Sequence, residues 1–130
     1  MNREKLLRYY LFVFGFANLF LLSFAPILLG DLLLWSPRNI PTELMIASIY
    51  FAMGITMLIT AKKPLAHKSF IDFVVVANVF HSIVMIIFAQ NIFHLSDAAI
   101  IGLMGVLPVL FYPWGLKNFL RYPLLSEIVK

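Results

Sequence analysis

Cysteine is absent from the 130-residue chain. That excludes disulfides, thiolate metal sites and cysteine nucleophiles. Charge is scarce as well: 12% of residues are charged, where a soluble domain carries about 25%. No phosphate loop, nucleophile elbow, dinucleotide fingerprint or HExxH motif is present, so the common signatures of nucleotide, acyl-transfer and zinc-protease chemistry are missing. The formal net charge is +4, but the basic residues sit in short clusters between apolar runs. That pattern reports orientation in a bilayer, and a nucleic-acid partner is not expected.

What the chain has in excess is apolar surface. Hydrophobic residues make up 62% of it, and the mean hydropathy is +0.95. A soluble domain of this size has too little interior to hide so much apolar area. Four apolar stretches stand out, at about 9–29, 44–61, 70–89 and 98–114. Each is roughly 17–21 residues, and about 20 helical residues cross a hydrocarbon core. They lack the two-residue alternation of barrel strands, and in lipid the backbone must then be satisfied within helices. Polar, proline-bearing breaks separate them: 30–42 with Pro37 and Pro41, 62–68 with Pro64, and 90–97. Short links imply antiparallel neighbours. The expected fold is an all-α integral membrane domain over 1–130: an antiparallel bundle of four transmembrane helices plus a short amphipathic tail at 116–130. In that tail Leu116, Phe119, Leu120, Leu124 and Ile128 recur at helical spacing around Lys117, Arg121 and Glu127, as in a helix lying on a membrane surface.

Nine of the ten Lys and Arg residues fall on one side of such a bundle: Arg3, Lys5, Arg8, Lys62, Lys63, Lys68, Lys117, Arg121 and Lys130. Arg38 alone falls on the other. The positive-inside rule puts both termini in the cytoplasm. Tyr9, Tyr10, Tyr112 and Trp114 are expected as anchors at the inner interface, with Trp35 at the outer one. The first stretch has the basic start of a signal peptide, but its apolar run is too long and Pro26 follows Ser23-Phe24-Ala25, so it reads as a retained span.

Polar groups inside a bilayer are costly and need a reason. Asn18 lies near the middle of the first stretch. Asn78 and His81 lie in the third, sharing a helix face with Met85. These residues, with Tyr50, are the candidate ligand-binding set. His81 suits a proton relay or a ligand contact; the plainer alternative is a neutral imidazole bonded to Asn18 or Asn78 across helices. Asp72 is expected to pair with Lys68 one turn before it. On the other side lie Asp31, Glu43, His94 and Asp97. Glu43, His94 and Asp97 form a candidate metal set, with His67 and His81 at the wrong depths to join. The structural alternative makes Asp97 the N-cap of the fourth helix and Glu43 a charge at the start of the second. Ala98, Gly102 and Gly105 predict close helix approach. Pro26 and Pro108 predict kinks.

From Glu43 onward the chain resembles a family of small bacterial four-span inner-membrane proteins of unassigned activity. The resemblance rests on Glu43-x-Met45-Ile46, Ile49-Tyr50 and Gly54, then Lys63-Pro64-x-x-His67-x-Ser69-x-Ile71-x-Phe73, His81-x-x-x-Met85 and His94-Leu95-x-Asp97. It covers about half the chain. Where the family has a tryptophan-rich outer loop, this chain has Trp35-Ser36-Pro37. The resemblance implies a bacterial inner membrane and a joint importance of Tyr50, His67, His81, His94 and Asp97. In architecture the chain is similar to the DoxX-like group of small four-helix bundles, and such a likeness carries no function.

Three functions are compatible with these features. The first is a non-enzymatic accessory subunit, in a larger membrane complex or homo-oligomer, or a binder of an apolar ligand. The second is a redox- or metal-associated membrane protein using His81 or the His94/Asp97 pair, its cofactor unknown. The third is a small proton-coupled exporter, disfavoured because Asn18 stands where a membrane-embedded carboxylate is needed.

Overall fold

The computed structural model describes residues 2–24 and 39–111. The amphipathic tail, Pro26, Asp31, Trp35, Arg38, Tyr112 and Trp114 lie outside these residues. The described chain is helical throughout its regular structure, with no strand. Helix α1 spans Arg3–Phe16 and widens into a π-helical stretch at Ala17–Leu22. Helix α2 spans Ile40–Thr60, α3 spans Lys68–Ile87 and α4 spans Ile92–Phe111. Each of the four, with α1 counted through Leu22, is long and apolar enough to cross a membrane. About 20 residues at 1.5 Å rise give about 30 Å, the thickness of a hydrocarbon core.

The helices begin earlier than the apolar runs, because polar residues cap them. Asn2 accepts from the Glu4 amide at the start of α1. Asn39 accepts from the Thr42 amide at the start of α2, where Pro41 occupies the first turn and costs no intrahelical bond. Glu43 also lies in that first turn, as its charge favours. Asn91 does the same for α4, its Oδ1 accepting from the His94 amide at 2.9 Å. The fourth helix therefore starts six residues before the apolar run, and its cap is Asn91. Asp97 is not the cap; it lies in the second turn. Pro108 stands inside α4, buried, and the helix continues past it to Phe111.

Packing follows glycine. A Cβ on Gly54 would meet the Leu19 backbone nitrogen at 2.7 Å and the Gly15 carbonyl at 2.8 Å, so α1 and α2 touch backbone to backbone. A Cβ on Gly105 would meet the Val75 carbonyl at 3.1 Å, and one on Gly102 would meet Ser82 Oγ at 2.8 Å. The expected close approach along Ala98, Gly102 and Gly105 is thus the α3–α4 contact. In both pairs residue numbers rise on one helix as they fall on the other, so neighbours are antiparallel. The two pairs join where α1 packs on α4, with Tyr10 donating its hydroxyl to the Met104 carbonyl. Tyr10 is buried in the core, unlike the exposed Tyr9, so of these two only Tyr9 is free to serve as an interfacial anchor.

Helix α2 has no comparable backbone packing with α3 or α4. The order around the bundle is α2, α1, α4, α3, with a seam between its two ends. At the end that carries the Lys62-Lys63 turn, a core fills the interior: Leu7, Tyr10 and Leu11, Met53, Met57 and Ala61, Ile71 and Val74. The turn is closed by a short 3-10 segment, Pro64–Ala66, and His67 caps α3 through its carbonyl. Outward faces are apolar. Phe12, Phe16 and Phe20 form an exposed ladder with ring centroids 4.9 and 5.8 Å apart. Phe80 is 65% exposed and Ile87 68%. In water such faces would drive aggregation; in lipid they are the matching surface.

Candidate functional site

The half of the bundle opposite the Lys62-Lys63 turn buries several polar side chains, Ser82 and His94 among them. Tyr50 Oη and His81 Nδ1 are 3.0 Å apart across the α2–α3 seam. Their rings lie nearly parallel, 26° between planes, with centroids at 5.9 Å. Tyr50 is buried and His81 half-buried. Because the backbones of α2 and α3 do not pack there, this pair is the bridge that side chains make over the gap. Just beside it, Ser82 Oγ donates to the Ala98 carbonyl at 2.7 Å. That bond brings His81 level with Asp97. The Asp97 carboxylate lies within electrostatic reach of the Tyr50 hydroxyl and of His94. His81 therefore belongs to the same layer as Asp97. The expectation that depth separates His81 from the His94/Asp97 side fails, because α4 begins a turn and a half earlier than its apolar run. His67, at the far end of α3, stays apart.

The other candidates have local work. Asn18 Nδ2 donates to the Phe14 carbonyl at 2.7 Å and lies 3.6 Å from Met57 Sδ, while its Oδ1 is buried without a donor. It sits where α1 passes into π winding, and Ser23 Oγ reinforces that winding by donating to the Asn18 carbonyl at 2.7 Å. Asn78 Nδ2 donates to the Val74 carbonyl at 2.8 Å. Both amides turn back one turn along their own helices. Neither is the cross-helix partner of His81; that partner is Tyr50.

His94 is 1% exposed. Its Nδ1 takes the Gln90 backbone N–H at 3.2 Å, and Asn91 Nδ2 lies 3.4 Å from Nε2. A backbone N–H can only donate, so Nδ1 accepts this bond. The side chain thus clamps the Gln90-Asn91 turn to the first turn of α4. Among the described residues no three His, Asp or Glu side chains gather as metal ligands, so Glu43, His94 and Asp97 are not brought to one point.

Sequence reasoning grouped Tyr50 with His81 in the ligand-binding set and Asp97 in the metal set, and only the resemblance implied that all three matter together. It missed the Ser82–Ala98 bond that sets their level, and it missed Asn91, whose position three residues before a histidine and ahead of an apolar run is a readable cap signal. No family model, curated protein or solved structure matches the chain. The class that fold and site define is an all-helical chain with four helices able to cross a membrane and a polar layer in one half.

Proposed function

We propose that this is a non-enzymatic inner-membrane protein of four spans that binds an apolar or amphipathic molecule from the bilayer. The molecule lies in the seam between α2 and α3, its polar end against Tyr50 and His81. The observation that carries this reading is the Tyr50–His81 bond, placed where two apolar helices leave a gap between their backbones. A polar pair at such a gap can meet a ligand arriving sideways from lipid. By helical spacing Ile46 and Met53 on α2, and Ala77, Val84 and Met85 on α3, flank the pair and suit an apolar body.

The topology belongs to the same proposal: both termini and the Lys62-Lys63 turn in the cytoplasm, so that the polar layer lies in the outer half of the membrane. The clustering of nine basic residues on one side supports it. The resemblance to small bacterial four-span proteins supports a bacterial inner membrane.

The test is to purify the protein in mild detergent and weigh the intact assembly by native mass spectrometry. A small apolar molecule should copurify, and Tyr50→Phe and His81→Ala should lose it while remaining folded. Retention of the same molecule by both variants would move the site elsewhere. A copurifying subunit with no small molecule would favour an accessory role in a larger complex.

A further inference from the structure

Two basic segments far apart in the sequence stand together at one end of the bundle. Arg3, Lys5 and Arg8 open α1, and Lys62 and Lys63 follow α2; all five are exposed. Helices α1 and α2 run antiparallel, and a Cβ on Gly15 would lie 3.0 Å from the Leu58 side chain. Leu58 stands one helical turn before Lys62, and Arg8 stands two turns before Gly15, so Arg8 lies on the α1 face that touches α2. The turn after Lys63 closes the contact. Pro64 is buried, the Pro64–Ala66 segment packs on α1, and Leu7 and Ala61 share one core. The described acids at this end are Glu4 and Asp72. Glu4 meets Arg8 at 3.5 Å, an exposed pair of small worth. Arg3, Lys5, Lys62 and Lys63 make no ion pair among the described residues. Phe12 and Phe16 follow Arg8 at four-residue steps, deeper along α1, and begin the exposed ring ladder that continues to Phe20.

From this juxtaposition we propose that the α1–α2 corner of the bundle binds an anionic phospholipid. Its phosphate sits among Lys5, Arg8, Lys62 and Lys63, and an acyl chain runs along Phe12 and Phe16 on the outside of α1. Orientation in a bilayer accounts for basic residues at one end. It does not require two basic segments to pack together at the head of an exposed aromatic strip. Clustered Lys and Arg at a membrane face attract anionic headgroups, and an arginine can hold two phosphate oxygens at once. The strip favours a lipid over a free phosphate, because a soluble anion has no apolar chain to lay on it. The site is separate from the α2–α3 seam and does not depend on it.

The experiment titrates the full chain in detergent micelles with dioleoyl phosphatidylglycerol or dioleoyl phosphatidylcholine and follows retention by native mass spectrometry. The two lipids share their chains and differ in headgroup charge. The wild-type protein should retain the anionic lipid at about tenfold lower concentration. Lys62→Gln with Lys63→Gln should bring the two lipids near parity, and Lys62→Arg with Lys63→Arg should keep the preference. Arg121→Gln with Lys130→Gln, which removes the same charge near the end of the sequence, should keep it too, as should Tyr50→Phe in the seam. Phe12→Ala with Phe16→Ala should weaken retention of both lipids. Equal retention of the two lipids by the wild type would overturn the proposal, and so would a preference that survives Lys62→Gln with Lys63→Gln. Loss of preference in Arg121→Gln with Lys130→Gln as well would reduce the effect to net charge and overturn it. Displacement of the anionic lipid by an equal concentration of glycerol 3-phosphate would make this a free-anion site and overturn the lipid assignment. Unchanged retention in the Phe12 and Phe16 variant would overturn the seat along α1.

Discussion

Tyr50 and His81 stand 31 positions apart and meet at 3.0 Å, hydroxyl to Nδ1, across the α2–α3 seam, where the helix backbones do not pack. The bond joins the α1–α2 pair to the α3–α4 pair on the side away from the α1–α4 contact. It should therefore couple the two pairs energetically. A double-mutant cycle of Tyr50→Phe and His81→Leu should return a coupling of about 0.5–2 kcal/mol, the range for polar pairs between membrane helices. Detergent-to-SDS unfolding midpoints measure it. Additive effects would mean that the pair contributes no joint stability.

The α1–α2 crossing should tolerate no side chain at Gly54. An alanine Cβ there meets backbone at 2.7–2.8 Å, and backbone cannot rotate away. Gly54→Ala should destabilise by about 1–3 kcal/mol, as overpacking does. At Gly102 the atom met is Ser82 Oγ, the end of a side chain that can turn. Gly102→Ala should cost less, mainly the Ser82–Ala98 bond, about 1 kcal/mol. The order of the two midpoints checks the argument.

The start of α4 should fray when its clamp is removed. Asn91→Ala removes the cap of the His94 amide and should cost about 1 kcal/mol. His94→Ala frees the Gln90 N–H and empties a buried position; its cost should be larger, about 1–3 kcal/mol. Hydrogen exchange at amides 90–95 should accelerate in both variants while amides 100–107 stay protected. Unchanged exchange at 90–95 would assign His94 some role other than holding this turn.

Both ends of the chain should report the same compartment. A fluorescent protein fused at either end should fold and fluoresce, and alkaline phosphatase at either end should stay inactive. Phosphatase fused after Gln90 should be active. The reverse pattern would place the nine basic residues outside and overturn the topology.

Much of the architecture was readable in one dimension. Apolar runs of spanning length, set between prolines and lysines, give four helices without further information, and the structure has them. Their starts were misread because hydropathy does not see caps: Asn39 and Asn91 extend α2 and α4 backward through polar residues. That error moved Asp97 from inside a helix to its edge, and with it the judgement that His81 lay at a different depth. The spacing of Ala98, Gly102 and Gly105 did foretell a close contact, since a small-residue stripe has few other uses at helical spacing. It did not say which helix would fill it.

The chain's sequence alone settled how apolar each segment is, how many helices it can form and where the charged groups stop, because these depend on residue type and order. The tertiary structure alone decided which polar groups meet. That depends on the rotation and crossing of each helix, which Gly54 and Gly105 set by allowing backbones to touch. Turned by those contacts, Tyr50 faces His81, the amides of Asn18 and Asn78 bond their own helices, and Asp97 comes level with His81.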